Sequence, residues 1–167
     1  AIILGEGEIN DITEIRVDDK AVTWSGDLAD NTERTVNSSD SNYYKDGASL
    51  ITVRPHYGAD DQSACSLLST LTSWTSNHRL RGLAYLACRF EWKKIDDQDD
   101  ADANPYKGIP KVQAVIKGKK VASAATAGST TYENETVAWS SNPADCILDY
   151  LRNPRYGKGL SNDRINF

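Results

Sequence analysis

The chain has 167 residues, a net charge of −5, and 39% hydrophobic and 26% charged residues, the composition of a soluble globular chain long enough for one domain, or one and the start of a second. An acidic balance argues against a general binder of nucleic acid or anionic membrane, which needs clustered positive charge, and no apolar run reaches the roughly 18 residues of a spanning helix. The three cysteines, Cys65, Cys88 and Cys146, are odd in number and widely spaced, which points away from a disulfide framework and towards a reducing compartment.

No charged-then-apolar signal segment opens the chain. It contains no methionine, and "AIILGEGEI" begins inside what reads as a strand, so an internal fragment of a longer polypeptide is expected. Residues 1–25 alternate with period two through Ile9, Ile12, Ile15 and Val17, with "VDDKAV" as a turn between short strands. Residues 26–47 are rich in Ser, Asn and Asp and read as a long surface excursion. "ASLITVRPHYG" predicts a strand with Pro55 at its edge or end. "DDQSACSLLSTLTSW" predicts a helix capped near Asp61 or Ser63, against the weak helix propensity of its Ser and Thr.

Residues 79–92, "RLRGLAYLACRFEW", give the strongest strand signal. One face (Leu80, Gly82, Ala84, Leu86, Cys88, Phe90, Trp92) is apolar or Gly throughout, and the other is apolar only in the middle. At ~3.3 Å per residue this run would span roughly 45 Å, a length that suits a barrel or tube wall. The acidic segment 96–108 reads as a loop, and "IPKVQAVIKGKKV" as a hairpin with Val112, Ala114 and Ile116 on one face and a Lys-Gly-Lys-Lys turn. After the polar stretch 123–136, a helix is predicted with Asn142 as N-cap, Pro143 at its first position and a stop at Asn153-Pro154. Ala144, Ile147, Leu148 and Leu151 form its apolar stripe. The fold class is mainly β (α+β), with one or two short helices.

Motifs for catalysis are sparse. "GEGEIN" has two glycines of a dinucleotide fingerprint, but Asn10 stands at the third place and no βαβ unit surrounds it, so a turn or bulge is the better reading. His56 and His78 sit at strand ends, where a partly exposed structural histidine is commoner than a triad member. Cys88 and Cys146 read as small apolar packers. Asp96, Asp97, Asp99, Asp100 and Asp102 are candidates for a metal site, but a hand-type calcium loop needs glycine where Ala101 stands, and a solvated, self-repelling loop fits better. Lys117, Lys119 and Lys120, with Arg152, Arg155 and Lys158, are candidates for an anion site, though such clusters are mostly solvated faces. No cofactor is implied.

"GEGEINDITEIRVDDK", "HRLRGLAYLACRFEW", "NPYKGIPKVQAVIKGKKV" and "WSSNPADCILDYLRNPRYGKGL" resemble, in order and spacing, the tail tip proteins of long non-contractile-tailed phages, the lambda J-like host-specificity family and its prophage relatives. The resemblance covers both ends and the middle of the chain, and little of residues 26–60. Asp145 and Cys146 stand where the family more usually has apolar residues, and the acidic loop is unusually long. The resemblance implies no enzyme. It implies a virion structural protein at the distal tail tip, similar to the baseplate hubs of contractile tails: a homotrimer of tube-like β-barrel domains that continues the tail channel. Its implied partners are the distal tail ring, the tape measure protein and, through other regions, a host surface receptor, with DNA passing without specific binding. On that reading residues 1–140 form a hub-type barrel domain, complete or in part, and 141–167 a helix and junction into the next hub domain. Asn142, Pro143, Ile147, Leu148, Leu151, Pro154, Tyr156 and Gly157 then make the junction, and Asp96, Asp97, Asp99 and Asp100 are also candidates to face the lumen.

Two other classes compete. One is a carbohydrate- or receptor-binding β-module stacking ligands on aromatic residues, for which Trp24 and Trp139 are the available tryptophans because Trp74 and Trp92 read as buried. The other is a small cell-wall hydrolase using His56 or His78.

Overall fold

The computed structural model describes residues 1–92, 104–106, 108–125 and 135–165. The chain divides into two compact units, Ala1–Lys117 and Gly118–Phe167, so the division falls inside strand β9 (Val112–Lys119), upstream of the 140/141 boundary read from the sequence.

In the first unit, β7 (Ile51–His56) and β8 (Leu83–Phe90) pair antiparallel from Ile51↔Phe90 to His56↔Tyr85. Strand β1 (Ile2–Glu6) adds to the far side of β8, and the two-residue β4 (Arg34–Thr35) adds to β7, giving the order β1-β8-β7-β4. The β1–β8 register shifts between Ile3 and Gly5, leaving Leu4 as the extra residue of a bulge. Alternation decides what β8 buries. Ala84 and Leu86 enter the main core with Ile9, Ile12, Ile15, Ile51 and Val53. Tyr85 and Ala87 enter a second cluster with Cys65, Leu67 and Leu68. A strand buried on both faces in its middle needs apolar residues at consecutive positions, and "LAYLA" supplies them.

Strand β2 (Ile9–Val17) lies between β3 (Lys20–Ala21) and β9. Asp18 and Asp19 turn the β2–β3 hairpin with φ of 47° and 64°, the doubly left-handed conformation of a two-residue hairpin loop. Asp18 also exchanges hydrogen bonds with Lys111, its backbone N–H donating to Lys111 O (2.9 Å) and its Oδ1 accepting from Lys111 N (2.8 Å).

Several expectations are corrected. The long strand shortens to the eight residues of β8 because Leu80 (φ 48°) and Gly82 (φ 71°) turn the chain just before it. Trp92 consequently lies beyond the strand and is exposed, and Trp74 is half-buried. The helix expected over residues 61–74 is a series of tight turns, with Leu68 N, Leu71 N and Trp74 N each donating to the carbonyl three residues back. The hydroxyls of Ser69 and Thr70 take the carbonyls of Ser66 (2.6 Å) and Leu67 (3.2 Å), the competition that disfavours Ser and Thr in helix interiors.

The 109–121 hairpin is not formed either. β9 pairs with β2, and the chain continues into β10 (Val121–Ala122), which pairs with β11 (Val137–Ala138). Val112, Ala114 and Ile116 do share the face packed on the main core. The polar segment 26–47 is not simply a surface excursion, because Leu28, Val36 and Tyr43 enter the main core and Arg34–Thr35 joins the main sheet. Buried Asp40 accepts from Thr23 N (2.9 Å), Asn42 N (2.9 Å) and Tyr43 N (3.2 Å), and Tyr43 donates to Val17 O at 2.7 Å. The short pair β5 (Tyr44–Lys45) and β6 (Ala48–Ser49) closes it. Among the described residues no sheet closes into a barrel; β1 and β4 end the largest sheet as edges.

In the second unit, α1 (Pro143–Arg152) packs against β10, and a 3-10 turn follows at Asn162–Arg164.

Candidate functional site

The junction residues singled out by sequence gather in the second unit around α1. Asn142 Oδ1 accepts from Ala144 N at 3.1 Å, and Pro143 occupies the first turn, where no intrahelical N–H is required. Asp145, where the family that the sequence resembles more usually has an apolar residue, has a structural job. Its carboxylate is buried and accepts from Ala124 N (2.7 Å) and Ser140 Oγ (2.6 Å). Those bonds, the Ala124 N–H foremost, hold it below the usual carboxylate range. The apolar stripe is only partly covered: Leu148 is buried, Leu151 half-buried, and Ile147 is 59% exposed, against the expectation that all three pack. Cys146, expected as a packer, is exposed.

The helix stops at Asn153, whose backbone N–H still donates to Asp149 O while its side-chain Oδ1 accepts from Arg155 N (2.8 Å) and Tyr156 N (3.1 Å). Lys158 N returns to Tyr150 O (2.9 Å) and Leu160 N to Leu151 O (2.9 Å). The reversal is so tight that a Cβ on Gly157 would stand 1.9 Å from Tyr150 O and 2.8 Å from Asn153 O. Gly159 adopts the left-handed conformation (φ 59°), and a Cβ there would stand 3.3 Å from Pro154 Cα. Asn153, Pro154, Tyr156 and Gly157 therefore build one rigid turn.

Charged side chains lock that turn to β9. Lys119 Nζ donates to Asp149 Oδ1 at 2.9 Å and to the Tyr156 hydroxyl at 2.5 Å, and the same hydroxyl donates to Asp149 Oδ2. Burial, then the bond to Asp149, pushes the Tyr156 phenol up to about 12, so it remains a protonated donor at neutral pH. Arg152 is buried and ion-paired with Glu135. Two members of the expected anion-binding clusters, Lys119 and Arg152, are thus committed to carboxylates within the unit. Sequence reasoning missed Asp149 and Glu135 as partners, because pairs 17 and 30 residues apart leave no local pattern. The arrangement is suited to fixing geometry rather than to moving protons.

The other candidates lie apart. His56, expected to be partly exposed, is fully buried in β7 and stacked on Tyr85. His78 is exposed, and its Nδ1 accepts from Thr75 N at 2.9 Å within a local turn. Burial pushes the Cys88 thiol up to about 12, the opposite of an activated thiolate. Among the described residues no group of three or more His, Cys, Asp or Glu is placed to hold a metal ion. Asp96, Asp97, Asp99, Asp100 and Asp102 lie outside the described residues.

No family model matches the chain, and no curated protein matches it.

Proposed function

We propose that the chain is a structural part of a phage or prophage tail tip. In this reading it builds a trimeric hub that continues the tail-tube channel and joins the tube to host-recognition regions, with the distal tail ring and the tape measure protein as neighbours. One observation carries the reading. Asn142 and Pro143 start α1, while Asn153, Tyr156 and Gly157 form the turn that ends it, and these same residues carry the resemblance in "NPADCILDYLRNPRYGKGL". A segment whose caps, steric contacts and ion pairs all fix an exit direction suits a junction between domains of a scaffold. The open edges β1 and β4 support a further part of the reading, in which the tube wall is completed by neighbouring copies rather than within one chain.

Electron microscopy of the full parent polypeptide, read for symmetry, tests this. A threefold ring around a channel wide enough for a DNA duplex is expected. A monomer with no channel, at concentrations where tail proteins assemble, overturns the proposal.

A further inference from the structure

We infer that the first unit carries a binding site for a neutral saccharide, in the groove between β2 and the segment 24–29. The groove encloses about 590 Å³ and is lined by Asp11, Trp24, Gly26, Asp27, Leu28 and Tyr57 among its principal residues. That volume lies within the range of small-ligand sites, and the wall mixes the carboxylates of Asp11 and Asp27 with the apolar surfaces of Trp24, Leu28 and Tyr57. All of these residues belong to one compact unit.

The groove is held in shape. The Tyr57 hydroxyl donates to Leu28 O at 2.6 Å and lies 3.2 Å from Asp11 Oδ1, and Tyr57 N donates to Asp30 Oδ1 at 2.8 Å. Trp24 is fastened by its bridge to Val36, and its indole N–H finds no acceptor among the described residues. Two half-buried aromatic rings beside two carboxylates are the combination that receives a pyranose, whose C–H face lies on a ring while its hydroxyls donate to carboxylate oxygens.

The charges select for neutrality. Asp11 is offset by Lys117 Nζ at 3.5 Å. The Asp27 turn is held by Arg34, whose Nε donates to Asp27 O at 2.8 Å and whose guanidinium stands within 3.6 Å of where a Gly26 Cβ would be. Asp11 therefore has a base beside it, and the Arg34 guanidinium stands at the Gly26–Asp27 backbone. A cation gains little from such a rim, whereas an uncharged polyol finds both donors and acceptors.

The test is a titration of the 167-residue chain with glucose, galactose, N-acetylglucosamine and their β-1,4-linked disaccharides, followed by amide chemical shifts. Saturable shifts at Gly26, Asp27 and Tyr57 are expected from at least one sugar at millimolar concentration, as is typical of single-sugar sites. Asp27→Asn, an exposed position, should weaken that binding about tenfold and leave the thermal midpoint in place. Three outcomes overturn the inference: no shift by ~50 mM of any sugar, a concentration that would reveal even weak binding; shifts unchanged in Asp27→Asn; or saturation by spermidine where sugars fail, which would make the groove a cation site.

Discussion

The imidazole of His56 lies flat on the phenol ring of Tyr85, with centroids 4.4 Å apart and planes 6° from parallel. They are cross-strand partners in β7 and β8, and among the described residues neither nitrogen of His56 has a hydrogen-bond partner. Burial, reinforced by the Arg54 charge, lowers the His56 pKa from 6.5 to about 4. The folded state thus binds this proton less well than the unfolded chain does. The resulting stability is complete above pH ~6.5, is lost as pH falls, and is gone below ~4, a total of at most about 3 kcal/mol. His56→Phe keeps the stack and removes the titration, so it should flatten that part of the acid limb. Urea unfolding at pH ~7 and ~4.5 measures it; equal losses in the two proteins would show that His56 does not set the limb.

Gly58 and Gly47 both have left-handed backbone (φ 90° and 75°), but their surroundings differ. A Cβ on Gly58 would stand 2.7 Å from Gly7 O and 2.8 Å from Ala84 N, where three chain segments cross, while one on Gly47 meets nothing within 4 Å. Gly47→Ala should therefore cost only the backbone strain, about 1–2 kcal/mol. Gly58→Ala should add the overpacking of a site bounded by backbone, for a total of about 3–5 kcal/mol. Denaturant midpoints of the two variants give the comparison. Similar losses would show that the β1–β8 crossing yields easily.

Gln62 does for the 58–83 segment what a helix would have done had one formed. Its Nε2 donates to Arg79 O, Leu80 O and Leu83 O at 2.9, 2.9 and 3.3 Å, and its Oε1 accepts from Gly58 N at 2.9 Å. Gln62→Ala takes the partner from the buried Gly58 N–H and from the part-buried Arg79 carbonyl, while Leu80 O keeps its bond from Leu83 N, and should cost about 2–3 kcal/mol. Gln62→Glu turns a carboxylate oxygen towards three carbonyls and should cost more. Limited proteolysis within 59–82 reads this out: faster cleavage in the order wild type, Ala, Glu is expected, and a Glu variant as resistant as wild type would exclude the role.

The legible parts of the chain are those where one local rule decides. Asn142-Pro143 and Asn153-Pro154 bound α1 because caps and proline act on neighbouring residues, and the β2–β3 turn follows from Asp18 and Asp19 alone. Positions 61–74 misled because a helical apolar spacing competes there with hydroxyl-to-carbonyl bonds, and only the bonds formed show which prevails. β8 is shorter than its apolar alternation because Leu80 adopts a left-handed backbone that its residue type does not suggest. The site partners were hidden for another reason: Lys119 finds Asp149, and Arg152 finds Glu135, through tertiary placement alone.

Leu148 and Ile147 are neighbours in the apolar stripe of α1, and periodicity alone ranks them equally. The structure separates them, with Leu148 6% exposed and Ile147 59% exposed. Leu148→Ala should cost the second unit about 2–4 kcal/mol, the range for a buried leucine. Ile147→Ala and Cys146→Ser should each stay within about 0.5 kcal/mol, as exposed positions do. Thermal unfolding followed through amide signals of residues 135–165 checks all three. The same pair bears on the proposed hub. If Ile147 meets a neighbouring copy or the next domain, Ile147→Asp should leave the isolated chain folded and abolish assembly of the parent protein. Assembly that survives Ile147→Asp would remove this helix face from the list of hub contacts, and a chain that unfolds would mean that Ile147 already serves the fold of the unit itself.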